Sequence, residues 1–296
     1  MDIKYQEIEL NSTNNQDHLT IALGNFSCFH LGHFELLKSV MTISKKTNTI
    51  ASVLCFSHEN YSKNIMTSYD KQEYLKQIGI NKLFDINFDE NLKNTSYVDF
   101  INFLKNTLKV ENVVIGEDYR FGHNRLGTIE DLKTHFNVEV IKLKSINGNK
   151  ISTHNIIQKI ENGDLEVANN LLGFNYTITG IVQKGKQNGH KINFPTINLS
   201  LAKYVTPKSG VYSAYLNYNN KKYLGMAYIG VHQTIDALTD PILELNVFDF
   251  NKELYGEIVK IELLGRIADD FKFTSIEELQ GALKKYKSTI LEKYSA

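Results

Sequence analysis

Arginine is scarce in this 296-residue chain: Arg120, Arg125 and Arg266 are its only three. Proline is as rare, at Pro195, Pro207 and Pro241, and tryptophan is absent. Cys28 and Cys55 are the only cysteines. Their separation makes neither a metal-binding spacing nor a disulfide framework, which fits a reducing compartment. Formal net charge is zero, so no basic excess points to nucleic acid or a charged membrane. No apolar run reaches membrane-spanning length. Met1 to Asp17 is polar and mixed in charge, unlike a secretory leader. The expectation is a cytoplasmic protein without nucleic-acid or membrane partners, acting as a monomer or weak homo-oligomer.

What is present divides into two parts. From Leu19 to Leu143 short apolar runs alternate with helical patterns. Leu19–Leu23, Thr49–Phe56, Lys82–Phe88, Val113–Gly116 and Val138–Leu143 read as strands. The helices between them are expected over residues 34–44, Tyr69–Ile78, Tyr97–Leu108 and Thr128–Phe136. This alternation predicts βαβ units around a parallel sheet, whose ligands bind at the carboxyl ends of strands. Ile151–Leu172 reads as two short helices broken at Gly163. After Gly173 the runs are short and alternating, which predicts a small antiparallel barrel or sandwich. Ser275–Tyr294 closes the chain as a helix with Ser275 as its cap. The expected domains are 1–173 and 174–296.

Three stretches carry chemistry. Thr196 and Asn198 lie two apart in Phe194-Pro195-Thr196-Ile197-Asn198. On an extended chain they share a face. They offer the hard neutral oxygens that Mg²⁺ accepts when substrate phosphates supply the charge. Gly180, Gly185 and Gly189 precede them, and glycines let main-chain amides approach phosphate closely. A polar strand end after a glycine turn is the plainer alternative. His30 and His33 flank Gly32 where a strand turns into a helix, an end with unpaired N–H donors suited to anions. The alternative is a polar turn. Gly116-Glu117-Asp118-Tyr119-Arg120-Phe121-Gly122 follows a buried strand, with Arg125 close by. An arginine fork suits phosphate, and an ion-paired loop using Glu117 or Asp118 is the alternative.

With these motifs in order, the chain resembles the bacterial bifunctional riboflavin kinase and FMN adenylyltransferase family, the FAD synthetases. Glu244-Leu245-Asn246-Val247-Phe248-Asp249-Phe250 and Leu254-Tyr255-Gly256 belong to the same set. The resemblance implies a Rossmann-like α/β nucleotidyltransferase domain followed by a small antiparallel β-barrel kinase domain with a C-terminal helix. It implies phosphorylation of riboflavin by ATP to FMN, then adenylylation of FMN to FAD with release of pyrophosphate. Thr196 and Asn198 would hold Mg²⁺, and Glu244, set among the bulky Leu243, Leu245 and Val247, would be the base. Catalytic roles in the first half would fall to His30 and His33. Nucleotide or flavin binding would involve Gly24, Asn25, Phe26, Gly32, Arg120, Arg125, Ser152 and Thr153. In the second half it would involve Gly180, Lys184, Gly185, Gly189 and Arg266, with Arg266, Phe271 and Phe273 bordering the flavin; a helix-packing contact is the alternative for these three.

The sequence also departs from the family pattern. Ser27-Cys28 stand where Asp-Gly is usual, and Phe56-Ser57-His58-Glu59-Asn60 where Pro-His-Pro is usual. Ile157 occupies the place of an arginine after Ile151-Ser152-Thr153. Asn193 replaces a glycine and Gln233 a proline. A kinase-only enzyme with a degenerate first half, and a non-catalytic flavin or nucleotide sensor, stay open as alternatives.

Overall fold

The computed structural model describes residues 4–7, 15–57, 63–142, 145–146, 149–184, 196–230, 233–234, 237–238, 241–271 and 273–294. Packing divides the chain into two compact units. One comprises Met1–Tyr61 and Met66–Thr153, the other Ser62–Ile65 and His154–Ala296.

The first unit is built on a parallel sheet. Its strands are β1 (Lys4–Glu7), β2 (Leu19–Leu23), β3 (Ile50–Ser57), β4 (Lys82–Asn87), β5 (Val110–Gly116) and β6 (Asn137–Ile141). Their order is β1-β4-β3-β2-β5-β6, and every pairing is parallel. The chain runs outward from β2 through β3 and β4, then returns to β5 on the other side of β2. That reversal places a crevice between the carboxyl ends of β2 and β5. Leu19, Ile21 and Leu23 pack with Leu54, Phe84, Ile86, Val113 and Ile115 in one core. The whole of β2 is buried, as expected for a parallel strand covered on both faces.

Helices α1 (Leu31–Thr47), α2 (Ser68–Ile78), α3 (Glu90–Asn94), α4 (Tyr97–Asn102) and α5 (Ile129–Lys133) connect these strands. Local sequence sets their ends. Thr67 and Asp70 form a reciprocal capping box on α2, and Gly79 ends it in the left-handed conformation at φ 91°. Thr128 and Asp131 cap α5 in the same way. The helix expected over Tyr97–Leu108 is α-helical only to Asn102; Phe103–Thr107 forms a wider π turn. Phe100, Ile101, Phe103 and Leu104 are all buried. Four apolar residues in that span exceed a single helical stripe, and the widened turn brings all of them into the core.

A two-strand hairpin, β7 (Ser145–Ile146) with β8 (Asn149–Lys150), leads to α6 (Thr153–Glu161) and α7 (Leu165–Leu172). Gly163, at φ 82°, breaks the two helices where the sequence predicts.

The second unit is an antiparallel six-stranded barrel. Its strands are β9 (Tyr176–Ile181), β10 (Ile197–Ser200), β11 (Gly210–Tyr218), β12 (Lys221–Gly230), β15 (Ile242–Val247) and β16 (Ile258–Asp269), with a small hairpin, β13 (Gln233–Thr234) and β14 (Ala237–Leu238), after β12. The order is β10-β15-β12-β11-β16-β9. A bridge between Gln183 and Asn198, with the Gln183 amide donating to the Asn198 carbonyl at 2.9 Å, brings the two ends of the sheet together. Along β15, fully buried Leu243 and Leu245 alternate with Glu244 and Asn246. Across the sheet they pair with Leu199, Ile197, Ile229 and Ala227. These residues fill the barrel.

The opposite, outer face is partly covered by α8 (Ile276–Tyr294). Ser275 caps α8 as predicted, its Oγ accepting from the Glu278 amide at 3.1 Å. Ile290 of α8 is buried against Val211, Met226 and Phe248.

Candidate active sites

In the first unit a cavity of about 490 Å³ opens at the carboxyl ends of β2 to β5. Leu23, Gly24, Asn25 and Phe26 form one side, and Gly116 with Asp118–Gly122 and Arg125 another. Phe56, Phe88 and Phe100 supply an aromatic wall. Two stretches about ninety residues apart in sequence, both singled out by motif, therefore share one crevice. Phe26 sits at φ 36°, a strained value for a bulky side chain. Its ring covers Gly24 so closely that a Cβ there would lie 2.8 Å from Phe26 Cζ. A side chain at 24 would displace the Phe26 ring from this position.

The histidine pair is arranged differently from the expectation of two rings beside open amides. His30 is the N-cap of α1, and its Nδ1 accepts from the Gly32 amide at 3.1 Å. The His33 amide donates to the His30 carbonyl. His30 itself thus occupies two of the first-turn donors. The two rings stack at 3.7 Å. Burial, followed by the neighbouring His30, pushes His33 down to about 3, so its ring is neutral. His33 lines the cavity, whereas His30 does not. His33 Nδ1 is buried with no hydrogen-bond partner among the described residues.

Positive charge in this crevice comes instead from the exposed Arg120, Arg125 and Lys93, the last paired with Glu90 at 3.0 Å. The Thr128 hydroxyl and amide, with the Arg120 charge adding to them, hold the Asp131 carboxyl below its ordinary value. Arg125 follows Asn124 in a left-handed pair, at φ 57° and 52°. Thr153 packs beneath the first motif, its Oγ1 accepting from Ser27 Oγ at 3.2 Å. Ser152 lies beside it, and Ile151 comes close to Gly32. Cys28 is fully buried, and burial pushes its thiol up to about 12. His58–Asn60 lie outside the described residues.

In the second unit, β10, β15 and β12 carry a polar row on the outer barrel face. Asn198 pairs with Glu244, and Glu244 with Tyr228. Thr196 precedes Asn198 by two residues, and Asn246 lies on the next rung of β15. A cavity of about 330 Å³ between this face and α8 is lined by Thr196, Glu244, Asn246, Tyr228, Asp270, Phe271 and Phe273, among others. A second cavity, of about 260 Å³, is lined by Val182, Thr196, Leu254, Tyr255 and Lys252. Thr196 borders both. Asn198 is buried, and its Nδ2 donates to the Thr196 carbonyl at 3.3 Å, which fixes the amide. The bulk expected around Glu244 from Leu243 and Leu245 lies on the other side of the sheet; Val211, Met226 and Tyr228 surround its face instead.

The remaining expected residues are dispersed. Gly180 extends the inward row of Tyr176 and Ile178, and a Cβ there would meet Leu199 at an ordinary 3.5 Å. Lys184 is exposed and lines neither cavity. Gly185, Gly189, Phe194 and Pro195 lie outside the described residues. Arg266 does not line the 330 Å³ cavity. It donates to the Ser209 carbonyl at 2.6 Å and pairs with Asp269 at 2.8 Å, tying the chain before β11 to the end of β16. Motif reading missed Tyr228, Asn246 and Asp270. The strand alternation around Glu244 points to Asn246, but Tyr228 enters only through cross-strand register.

Residues 12–155 match the family described as FAD synthetase, and residues 172–293 the family described as riboflavin kinase. Residues 156–171, most of α6 and α7, fall between the two. A bifunctional riboflavin kinase/FMN adenylyltransferase of Bacillus subtilis (strain 168) is 33% identical, with 93% of this chain and 92% of the relative covered. One of the same description from Buchnera aphidicola subsp. Schizaphis graminum is 32% identical over 93% of both chains. A crystal structure described as a macrolide-efflux protein from Streptococcus pneumoniae superposes with a TM-score of 0.87 at 29% identity, over 97% of this chain and 98% of that one. Among the described residues no helix is long and apolar enough to cross a membrane.

Proposed function

The chain belongs to the bifunctional riboflavin kinase/FMN adenylyltransferase family, and from that premise we propose that it phosphorylates riboflavin with ATP to FMN and adenylylates FMN with ATP to FAD. The observation that carries the kinase assignment is the position of Thr196. It borders two cavities at once, and Asn198 and Glu244 lie on the same face as a cross-strand pair. Phosphoryl transfer needs a positioned donor, an oriented hydroxyl and little covalent work by the protein.

In this reading riboflavin enters the larger cavity, with Phe271 and Phe273 beside its ring system. Its ribityl chain reaches toward Thr196. Glu244 takes the proton of the terminal hydroxyl as that oxygen attacks the γ-phosphorus, the bond to the β–γ bridging oxygen breaks and ADP leaves. The nucleotide lies in the smaller cavity, where Lys252 offers a point charge. The donor set fits Mg²⁺: Thr196 and Asn198 present hard neutral oxygens, and the Asn198 amide is oriented by its bond to the Thr196 carbonyl. When bound, the ion would neutralise charge on the transferring phosphoryl group.

In the first unit the crevice between β2 and β5 takes FMN and a second ATP. Arg120 and Arg125 face the phosphates, and the neutral His33 presents an uncharged imidazole to them. Pyrophosphate leaves as the FMN phosphate attacks the α-phosphorus. The adenylyltransferase is assigned to residues 1–173 and the kinase to 174–296, acting in the cytoplasm as a monomer or weak homo-oligomer.

Incubation of the purified protein with riboflavin, ATP and Mg²⁺ tests both assignments. FMN followed by FAD and pyrophosphate is expected; no FMN would refute the kinase assignment, and FMN without FAD the adenylyltransferase. Thr196→Ala and Asn198→Ala are each expected to raise the Mg²⁺ needed for half-maximal FMN formation by about tenfold or more. Unchanged metal dependence in both would remove the ligand assignment.

A further inference from the structure

Tyr228 stands at the centre of the outer-face polar row and has no part in the reading above. Its phenol lines the 330 Å³ cavity, and on β15 its cross-strand partner is Glu244. The Tyr228 hydroxyl donates to the carboxylate of Asp270, 3.2 Å from Oδ1 and 3.3 Å from Oδ2. Burial, with the nearby Asp270 and Glu244 charges adding to it, pushes the phenol up to about 12, so the hydroxyl keeps its proton and remains a donor.

The sequence makes room for this geometry. Gly230 lies two residues further along β12 on the same face, and a Cβ there would collide with the Tyr228 hydroxyl. Asp270 follows the last residue of β16 and precedes Phe271, whose ring meets Phe273 edge-on at 5.6 Å. Phe271 is 62% exposed, so packing alone holds it weakly. Asp269, the other carboxylate at this end of the cavity, is already paired with Arg266 and Lys208. The Tyr228–Asp270 bond therefore links the strand facing Glu244 to the stretch carrying the two rings.

We propose that Tyr228, through its hydrogen bond to Asp270, is a positioning residue that holds Phe271 and Phe273 over the cavity and thereby sets its affinity for a flat aromatic ring system. The proposal rests on the reading of this cavity as the riboflavin site. The hydroxyl acts through Asp270 and takes no proton in the reaction. Its loss raises the riboflavin dissociation constant and KM while leaving kcat and the KM for ATP near their original values.

The test compares the unaltered protein with Tyr228→Phe, Asp270→Ala, the double variant and Asp270→Asn, by quenching of riboflavin fluorescence and by steady-state FMN formation. Each of the first two is expected to weaken riboflavin binding about fivefold, the worth of one ordinary hydrogen bond. The double variant should be no weaker than either, and Asp270→Asn, which keeps an acceptor, should bind near normally. Should Tyr228→Phe fail to fold, Asp270→Ala and Asp270→Asn read the same bond from its other end. Normal riboflavin binding in Tyr228→Phe or Asp270→Ala, additive effects in the double variant, or a fall in kcat alone would overturn the inference. Absence of riboflavin binding in the unaltered protein would overturn the cavity's assignment, and the inference with it.

Discussion

Burial and the stacked His30 ring lower His33 from its ordinary 6.5 to about 3. Between those two values the unfolded chain holds a proton on this imidazole that the folded protein refuses. The resulting stability is present above pH 6.5 and is lost as pH falls toward 3. A single such group changes stability by up to about 1.4 kcal/mol per pH unit. Urea unfolding of the unaltered protein should therefore lose about 2 kcal/mol more between pH 7 and pH 5 than His33→Gln loses. Equal losses would mean that the imidazole is not held neutral. Burial acts on both thiols in the opposite sense, pushing Cys28 and Cys55 up to about 12. Neither should alkylate in the native protein at pH 8, and both should react in urea; a fast native reaction would contradict the burial of both cysteines.

At the scale of elements, the loop after β5 is held by geometry that only glycine permits. Gly122 has φ 70°, and a Cβ there would lie 2.6 Å from the Tyr97 amide nitrogen. Gly122→Ala should cost about 2 kcal/mol or more and displace Arg120 and Arg125. FAD formation should fall while FMN formation persists, measured on the same preparation; retained FAD formation would show that the arginines do not depend on this loop. Much of this arrangement was legible in sequence. Strand–helix alternation located the crevice, because ligand position in a parallel sheet follows from topology. Gly163 and Ser275 acted as written, since helix ends are decided by a few adjacent residues. The second unit was harder to read. Tyr228 meets Glu244 only through register between β12 and β15, which no local pattern encodes. Arg266 was expected beside flavin, but the Ser209 carbonyl and Asp269 engage its guanidinium, and such tertiary partners leave no mark in spacing. The wide turn at Phe103–Thr107 likewise reflects the demands of the core over a simple helical period.

Taken whole, the molecule holds two compact units, one with the cavity that Arg120 and Arg125 line and the other with the two cavities that Thr196 borders. In the proposed kinase reaction Glu244, paired across strands with Asn198 and sharing a cavity with Thr196, accepts the riboflavin hydroxyl proton. Replacing its carboxylate by an amide keeps size and polarity but removes the base, and general-base loss costs about 10²- to 10⁴-fold. The decisive measurement is product formation by Glu244→Gln, assayed separately from riboflavin and from FMN. FMN formation is expected to fall at least about a hundredfold, with riboflavin still bound and FAD formation from FMN intact. FMN formation at the unaltered rate, with riboflavin bound as before, would contradict it.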